Sequence, residues 1–335
     1  MKVLFLIQGW KVAASRYRVL SYLPYLREKG IEADVSPYPR TASENWVFFK
    51  SLPRYDVVFL QRKRLNSVRL WLLRRMVNRI VYDFDDSVMY RNSTADNPIS
   101  KTRRKRFSRI LRDSDAVIAG NEYLKREALK YNSRVEVIPS PIDTERYTLK
   151  SYEFEEDGVI LGWIGDHGSI HYLERMRPIF DALGQKYHHV KLKIVCDTFF
   201  ECEHMEVIKK MWSSEDEVRD LQSLDIGLMP LMDDPWSWGK CGLKILQYQG
   251  VGLPVVCTPV GINRDLVEDG ENGFWARTPE EWIQKLSLLI DNRELRVRMG
   301  VSGRQKVGEG FSLQSCAPRV YRVLRDVGGE SKGSR

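Results

Sequence analysis

The 335-residue chain has no apolar run near the roughly 20 residues that a membrane-spanning helix needs. The apolar opening Met1–Ile7 is too short for a secretory leader, and Gln8-Gly9-Trp10-Lys11 stands where a cleavage site would be expected. Cysteine is sparse and unpatterned: Cys196, Cys202, Cys241, Cys257 and Cys316 include no CxxC pair. That spacing indicates neither a disulfide framework nor a zinc site, and a cytoplasmic location is expected. Histidine is scarcer still in the first half, where residues 1–150 contain none. The GxGxxG fingerprint of dinucleotide-binding domains is also missing.

An apolar fraction of 43% and an aromatic fraction of 11% are those of a folded globular protein, and the length suffices for two domains. Charge is uneven. Residues 1–150 carry 30 Lys and Arg against 16 Asp and Glu, a net of +14, while the remainder carries 23 against 29, a net of −6. A basic first half points to an anionic surface, either a membrane or a nucleic acid.

Strand-like apolar runs alternate with helical patterns throughout, the signature of doubly wound α/β domains. Lys2–Ile7 reads as a strand ending at Gly9, where the missing Cβ lets a ligand approach or simply makes a tight turn. Ser15–Lys29 reads as one helix, with Arg16 and Arg18 near its start as candidate anion contacts. Residues 55–60 form a strand leading to Arg62. Residues 68–79 form a helix in which Arg69, Arg74 and Arg75 surround Trp71. That helix fits either an interfacial helix on anionic lipid or a core-packed helix with a solvated basic face. A second basic run, residues 101–109, repeats the theme.

Residues 80–86 form a strand that delivers Asp83, Asp85 and Asp86 at its carboxyl end, where ligands bind in open α/β sheets. Period two places Asp83 and Asp85 on one side. Metal ligation, hydroxyl binding, base catalysis and pairing with nearby arginines all remain open for this trio. A second strand–glycine–helix unit begins at residues 159–165, with Asp166 and His167 in its loop, and a strand over 190–195 ends at Asp197.

The most informative stretch is Ser237–Val256, SWGKCGLKILQYQGVGLPVV. Gly239 and Gly242 permit close backbone approach, and Leu243 opens a short helix whose start suits phosphate. Lys240 and Lys244, four apart, would share one side of a helical turn. Gln247 follows one turn on, and Trp238 is a candidate stacking ring.

This stretch resembles the donor-binding signature of GT-B glycosyltransferases of family 4, in a bacterial subgroup with the pattern GKCGxKxLQYxxxGLPVV. Gly239 and Gln247 stand where most of that family carries two glutamates. The resemblance extends over the whole chain, weakest across residues 36–115. It implies two Rossmann-like domains facing across a cleft: residues 1–150 for an acceptor and 151–312 for a nucleotide-diphosphate sugar. A closing helix over 313–327 would cross back to the first domain, and 328–335 reads as a disordered tail.

The implied chemistry is transfer of a sugar to a glycan or lipid-linked acceptor in cell-envelope or exopolysaccharide synthesis, with retention and without a metal or other cofactor. Lys240 and Lys244 would offset the diphosphate charge, with Asp83, Asp85 or Asp86 on the sugar or acceptor hydroxyl. Gly9, Gly165, Asp166, His167, Asp197, Trp238, Gly239, Cys241, Gly242, Leu243 and Gln247 would border the donor. Arg16, Arg18, Arg62, Arg69, Arg74 and Arg75 would face the acceptor or a membrane, leaving the protein peripheral on the cytoplasmic membrane. A sugar-nucleotide epimerase on the same fold is the alternative. A basic nucleic-acid-binding protein is disfavoured because stacking aromatics are scarce among the basic residues.

Overall fold

In the computed structural model, which describes residues 1–151 and 158–329, the apolar runs of the first half become six strands. They are β1 (Lys2–Ile7), β2 (Glu32–Pro37), β3 (Val57–Gln61), β4 (Arg79–Phe84), β5 (Ala116–Ala119) and β6 (Val135–Val137). All pair in parallel, in the order β2-β1-β3-β4-β5-β6. The helices among them are α1 (Ala13–Arg18), α2 (Leu23–Glu28), α3 (Ala42–Ser51), α4 (Ser67–Met76), α5 (Lys101–Asp113) and α6 (Glu122–Leu129).

Alternate strand residues feed two cores, as the two-residue period requires. Leu4, Leu6, Val58, Leu60 and Tyr82 pack with Phe48 of α3, Leu70 and Leu73 of α4, Phe107 of α5 and Leu124 of α6. Val3, Phe5, Val57, Phe59 and Val81 pack on the other face with Leu23 and Leu26 of α2.

The expected single helix over Ser15–Lys29 is broken. Val19 leaves the helical region, a 3₁₀ turn covers Leu20–Tyr22, and Pro24 sits in the first turn of α2, where its missing N–H costs no bond.

The second half repeats the plan. β7 (Val159–Ile164), β8 (Val190–Cys196), β9 (Glu206–Met211), β10 (Ile226–Met229), β11 (Val255–Cys257) and β12 (Gly273–Trp275) form a parallel sheet ordered β12-β11-β10-β7-β8-β9. Its helices are α7 (Ile170–Glu174), α8 (Arg177–Lys186), α9 (Glu217–Gln222), α10 (Leu243–Gly250), α11 (Asn263–Leu266), α12 (Pro279–Asp291) and α13 (Arg293–Gly310). In both sheets the strand order reverses once, between β1 and β3 and between β7 and β10. Such switch points open a crevice at the carboxyl ends of the strands.

The chain divides into two units: Met1–Pro141, Asp234–Cys241 and the segment from Leu313; then Ile142–Asp233 and Gly242–Ser312. The boundary expected near residue 150 therefore falls earlier. Residues 142–150 are tied into the second unit: Ile142 N–H donates to the Phe311 carbonyl at 2.8 Å, and Lys150 Nζ to Asp225 at 2.7 Å. The last helix, α14 (Leu313–Gly328), sets Cys316, Val320 and Leu324 into the first unit's core. It runs through Gly328, and residues 330–335 of the stretch read as a tail lie outside the described residues.

Candidate functional site

Lys240 and Lys244 do not share a helix. Lys240 has an extended backbone, and Gly242, at φ 67°, is the turn that admits α10 at Leu243. A left-handed residue between the two lysines cancels the one-turn spacing, and glycine takes that conformation without strain. A Cβ there would also lie 2.1 Å from Cδ1 of Leu266.

Lys244 lies in the first turn of α10, beside the loop that leaves β7 at the switch point. Its Nζ is 3.4 Å from Ser169 Oγ and stands over the Trp163 ring, 4.9 Å from its centroid. Ser169 Oγ in turn donates to Asp166 Oδ1 at 2.9 Å. Gly165 is required where it is, because a Cβ would meet the Trp163 ring at 2.1 Å. The neighbouring strand end contributes Asp197. One carboxylate oxygen accepts the His167 N–H at 2.7 Å, and the other lies 2.6 Å from His167 Nδ1. This contact raises the His167 pKa and lowers that of Asp197, consistent shifts of one ion pair. Gly165, Asp166, His167, Asp197, Gly242, Leu243 and Lys244 thus all belong to the second unit, at or beside its switch point.

Gln247 does not fit the ribose contact expected of it. It is buried, and its Nε2 donates to Tyr147 Oη at 3.1 Å. That hydroxyl donates to Glu217 Oε1 at 2.5 Å, and Glu217 also accepts from Trp212 Nε1 at 3.1 Å. The amide is committed to a polar chain inside the unit. Tyr147, Glu217 and Trp212 carried no sequence signal, because only the fold brings them together.

The other half of the signature, Asp234–Cys241, is held by the first unit. Ser87 Oγ donates to the Pro235 carbonyl at 2.6 Å. Asn121 uses Oδ1 to cap α6 and Nδ2 to donate to the carbonyls of Trp238, at 3.3 Å, and Lys240, at 2.9 Å. Burial pushes the Cys241 thiol well up, so it stays protonated and donates to the Asp85 carbonyl at 3.1 Å. Trp238 meets the Tyr123 ring edge-on. Trp238, Gly239 and Cys241 are therefore placed on the first unit, with Gly9 at the end of β1. Gly239 has no room for the family's glutamate, since its Cβ would sit 2.2 Å from Ser87 Oγ.

The three aspartates separate. Asp83 is buried against Arg18, whose Nε donates to it at 3.2 Å while Nη1 donates to the Ile138 carbonyl at 2.6 Å. Burial pushes Asp83 up to about 6 against the pull of Arg18. Asp85 and Asp86 instead face Arg62, which reaches Asp85 at 3.4 Å and hydrogen-bonds Asp86. Lys240 Nζ completes this group at 3.2 Å from Asp86. Burial alone would raise the Asp86 carboxyl, but Arg62 and Lys240 outweigh it and hold it below the usual range. The expectation that period two aligns Asp83 with Asp85 fails because β4 ends at Phe84.

The arginines proposed for an acceptor or membrane divide likewise. Arg18 is only 1% exposed and cannot reach a surface. Arg62 is spent on Asp85 and Asp86, and Arg74 on Asp115 at 2.9 Å. Arg16 lies against Tyr17, Arg69 against Tyr38 and Arg75 over Trp71. Trp71 is joined on the same side of the sheet by Trp46 and Val47 of α3 and Val68 of α4, each more than half exposed. The capping box of Thr41 and Glu44 was the available signal for α3.

Residues 8–146 match the model of the family described as Glycosyltransferase Family 4, and residues 170–292 that described as Glycosyl transferases group 1. The first match falls largely in the first unit and the other largely in the second. An uncharacterised glycosyltransferase of Methanocaldococcus jannaschii is 25% identical over 66% of this chain and 62% of its own. The N-acetyl-alpha-D-glucosaminyl L-malate synthase of Bacillus anthracis is 23% identical over 67% and 63%. The capsular polysaccharide biosynthesis glycosyltransferase CapM of Staphylococcus aureus is 22% identical over 65% and 63%. The chain thus spans less than two thirds of these curated relatives' lengths, and only 21% of a Pyrococcus horikoshii trehalose synthase.

Among solved structures, Anabaena HepE in complex with UDP and glucose superposes with a TM-score of 0.72 at 16% identity, over 97% of this chain and 99% of that one. Sucrose-phosphate synthase of Thermosynechococcus elongatus gives 0.75 at 14%, over 98% and 99%. The fold is that of GT-B glycosyltransferases, two α/β units with six parallel strands each.

Proposed function

We propose that the protein is a retaining, metal-independent glycosyltransferase that moves a sugar from a nucleoside-diphosphate sugar to a glycan or lipid-linked acceptor of the cell envelope. The observation that carries this reading is Lys244, set in the first turn of α10 beside the Gly165–Ser169 loop at the second unit's switch point. Fixed positive charge and helix-start N–H groups are what a diphosphate leaving group requires as the glycosidic bond breaks. The names of relatives in capsule and teichuronic acid synthesis support an envelope product. The UDP and UDP-glucose bound by HepE support a nucleotide-sugar donor.

Metal independence is supported by the aspartates' partners. Asp83 faces Arg18, and Asp85 and Asp86 face Arg62 and Lys240, so the carboxylates are neutralised by side-chain cations where a divalent ion would need them unpaired. Lys240, neutralised by Asp86, is reassigned from the leaving group to holding its own segment in place. A thermal-shift screen with UDP-, GDP-, ADP- and dTDP-glucose tests the donor site, and stabilisation by one of them is expected. Transfer should survive excess EDTA, and the product's anomeric proton should report retained configuration. Failure of all four donors to stabilise the protein would overturn the reading.

The acceptor-side reading is a peripheral one. Trp46, Val47, Val68 and Trp71 are exposed on α3 and α4, and the neighbouring α5 has no acidic residue before Asp113. Apolar tips among basic side chains suit the interface of an anionic bilayer.

A further inference from the structure

The loop between β7 and α7 holds two glycines, Gly165 and Gly168, within four residues, so its conformation is not fixed by its own backbone. It is fixed from the adjacent strand. β8 pairs with β7 in register, which brings Asp197, the residue after β8, alongside His167. Asp197 then grips one residue twice, through the His167 backbone N–H at 2.7 Å and through Nδ1 at 2.6 Å. The first bond sets the path of the loop and the second sets the ring. With Nδ1 turned to the carboxylate, Nε2 on the far side of the imidazole faces outward, and the side chain is 76% exposed.

We propose that Asp197 is a positioning residue that orients His167 so that Nε2–H donates to a phosphate oxygen of the nucleoside diphosphate. This rests on the donor-site reading given above and adds to it a titratable group. The charged groups around His167 are Asp197 on β8's end, Asp166 in its own loop, and Lys244 of α10, which reaches the loop through Ser169. Cys196 also meets Asp197, at 3.4 Å, but burial pushes its thiol up to about 11, so it stays neutral. Asp197 favours the imidazolium, whose Nε2 is a donor; the neutral ring with Nδ1–H on Asp197 offers an acceptor there instead. Donor affinity should therefore fall as pH rises through the His167 pKa.

The test is the affinity of UDP-glucose, with GDP-, ADP- and dTDP-glucose in parallel, by calorimetry from pH 5.5 to 9 on the full chain. The diphosphate linkage does not titrate in that range, and ADP-glucose, whose adenine carries no ring N–H that ionises near its upper end, separates the protein's pH dependence from that of the uracil, thymine and guanine bases. The expected outcome is a loss of about five- to tenfold in affinity across the range. His167→Gln should flatten the profile at the weak plateau. Asp197→Asn keeps an acceptor for the His167 N–H but removes the charge, so it should move the midpoint to lower pH. Asp197→Ala loses both bonds and should weaken binding at every pH, with a larger change in donor KM than in kcat. Tight binding that is flat with pH, or a His167→Gln profile that matches the wild type, overturns the role of the pair while leaving the donor site standing. No binding of any of the four by the folded protein overturns the donor site, and this proposal with it.

Discussion

Lys240 Nζ lies 3.2 Å from Asp86 Oδ1, on the first unit, although it is only four residues from Lys244 of the second. The signature stretch is thus divided at Cys241 and Gly242: one part is clamped by Ser87, Asn121 and Asp86, the other begins α10. Sequence spacing alone makes the two lysines look like equivalent phosphate ligands. Their partners make one a tether and the other a ligand candidate.

The tether has a pH signature. Asp86 is depressed in the folded protein, so its contribution is present above the unfolded carboxylate value of about 3.9 and is lost as pH falls through the lower folded value. Hydrogen exchange of residues 234–241 should therefore be unchanged from about pH 5 upward, once corrected for intrinsic rates. Asp86→Asn should raise it at every pH, with a stability loss of about 2 kcal/mol, less than the roughly 3–5 of a fully buried broken pair. Wild-type protection of this segment in the variant would show that the clamp does not depend on the charge.

Arg18 and Asp83 should behave as one unit. Arg18→Met strands a buried carboxylate next to the Ile138 carbonyl that it also holds, and a loss of about 3–5 kcal/mol is expected. The double variant Arg18→Met, Asp83→Leu should recover most of it, because no uncompensated charge is left. Denaturation followed by a probe in the first unit reads both, since a two-unit protein need not unfold in one step. Additive losses would mean that the pair is not coupled.

How far the sequence foretells this arrangement depends on whether a residue's partner is local. Continuous apolar runs such as Val57–Leu60 and Leu161–Ile164 are buried strands, legible because parallel sheets are covered on both faces. The edge strand β9, with Glu206, Ile208 and Lys210 alternating against Val207, Lys209 and Met211, carried too little apolar signal to be read. The α10 start at Leu243 is legible from the turn before it, but the pairing of Lys240 with Lys244 is not, because a four-residue lysine spacing mimics a helical turn and nothing local announces that Gly242 is left-handed. The aspartates were recognised as a cluster but not by role. Their partners Arg18 and Arg62 lie 65 and 24 residues away, and which arginine meets which aspartate is decided by where β4 ends.

Lys244 is where the donor reading is most exposed to test. Lys244→Ala should lower kcat/KM by about 10²–10³, the usual effect of removing one donor to a developing oxyanion. It should also reduce the thermal shift given by the bound nucleotide sugar. Lys244→Arg should keep part of both, since the charge stays while the point geometry over Trp163 changes. Circular dichroism and the melting curve without ligand should match the wild type for both variants, because the Nζ contact to Ser169 is partly exposed and long at 3.4 Å. Near-normal turnover in Lys244→Ala would remove the lysine from the mechanism.

The exposed tips of α3 and α4 give the last prediction. Trp46 is 73% exposed and Trp71 54%, while Arg75 stacks over Trp71 and stays at the surface. Each large apolar tip withdrawn from water and each cation near an anionic surface contributes about 1 kcal/mol or somewhat more. Co-sedimentation with vesicles containing phosphatidylglycerol should therefore weaken by about 30-fold in Trp46→Ala, Trp71→Ala, and by about 100-fold when Arg104, Lys105 and Arg106 of α5 are replaced by Gln. Raising salt should erase the second effect and leave much of the first, because only the charge term is screened. Arg18→Met should leave vesicle binding unchanged wherever the variant remains folded, as that guanidinium is buried. Equal binding to neutral and anionic vesicles, or no effect of the tryptophan changes, would show that this side of the first unit does not meet a membrane.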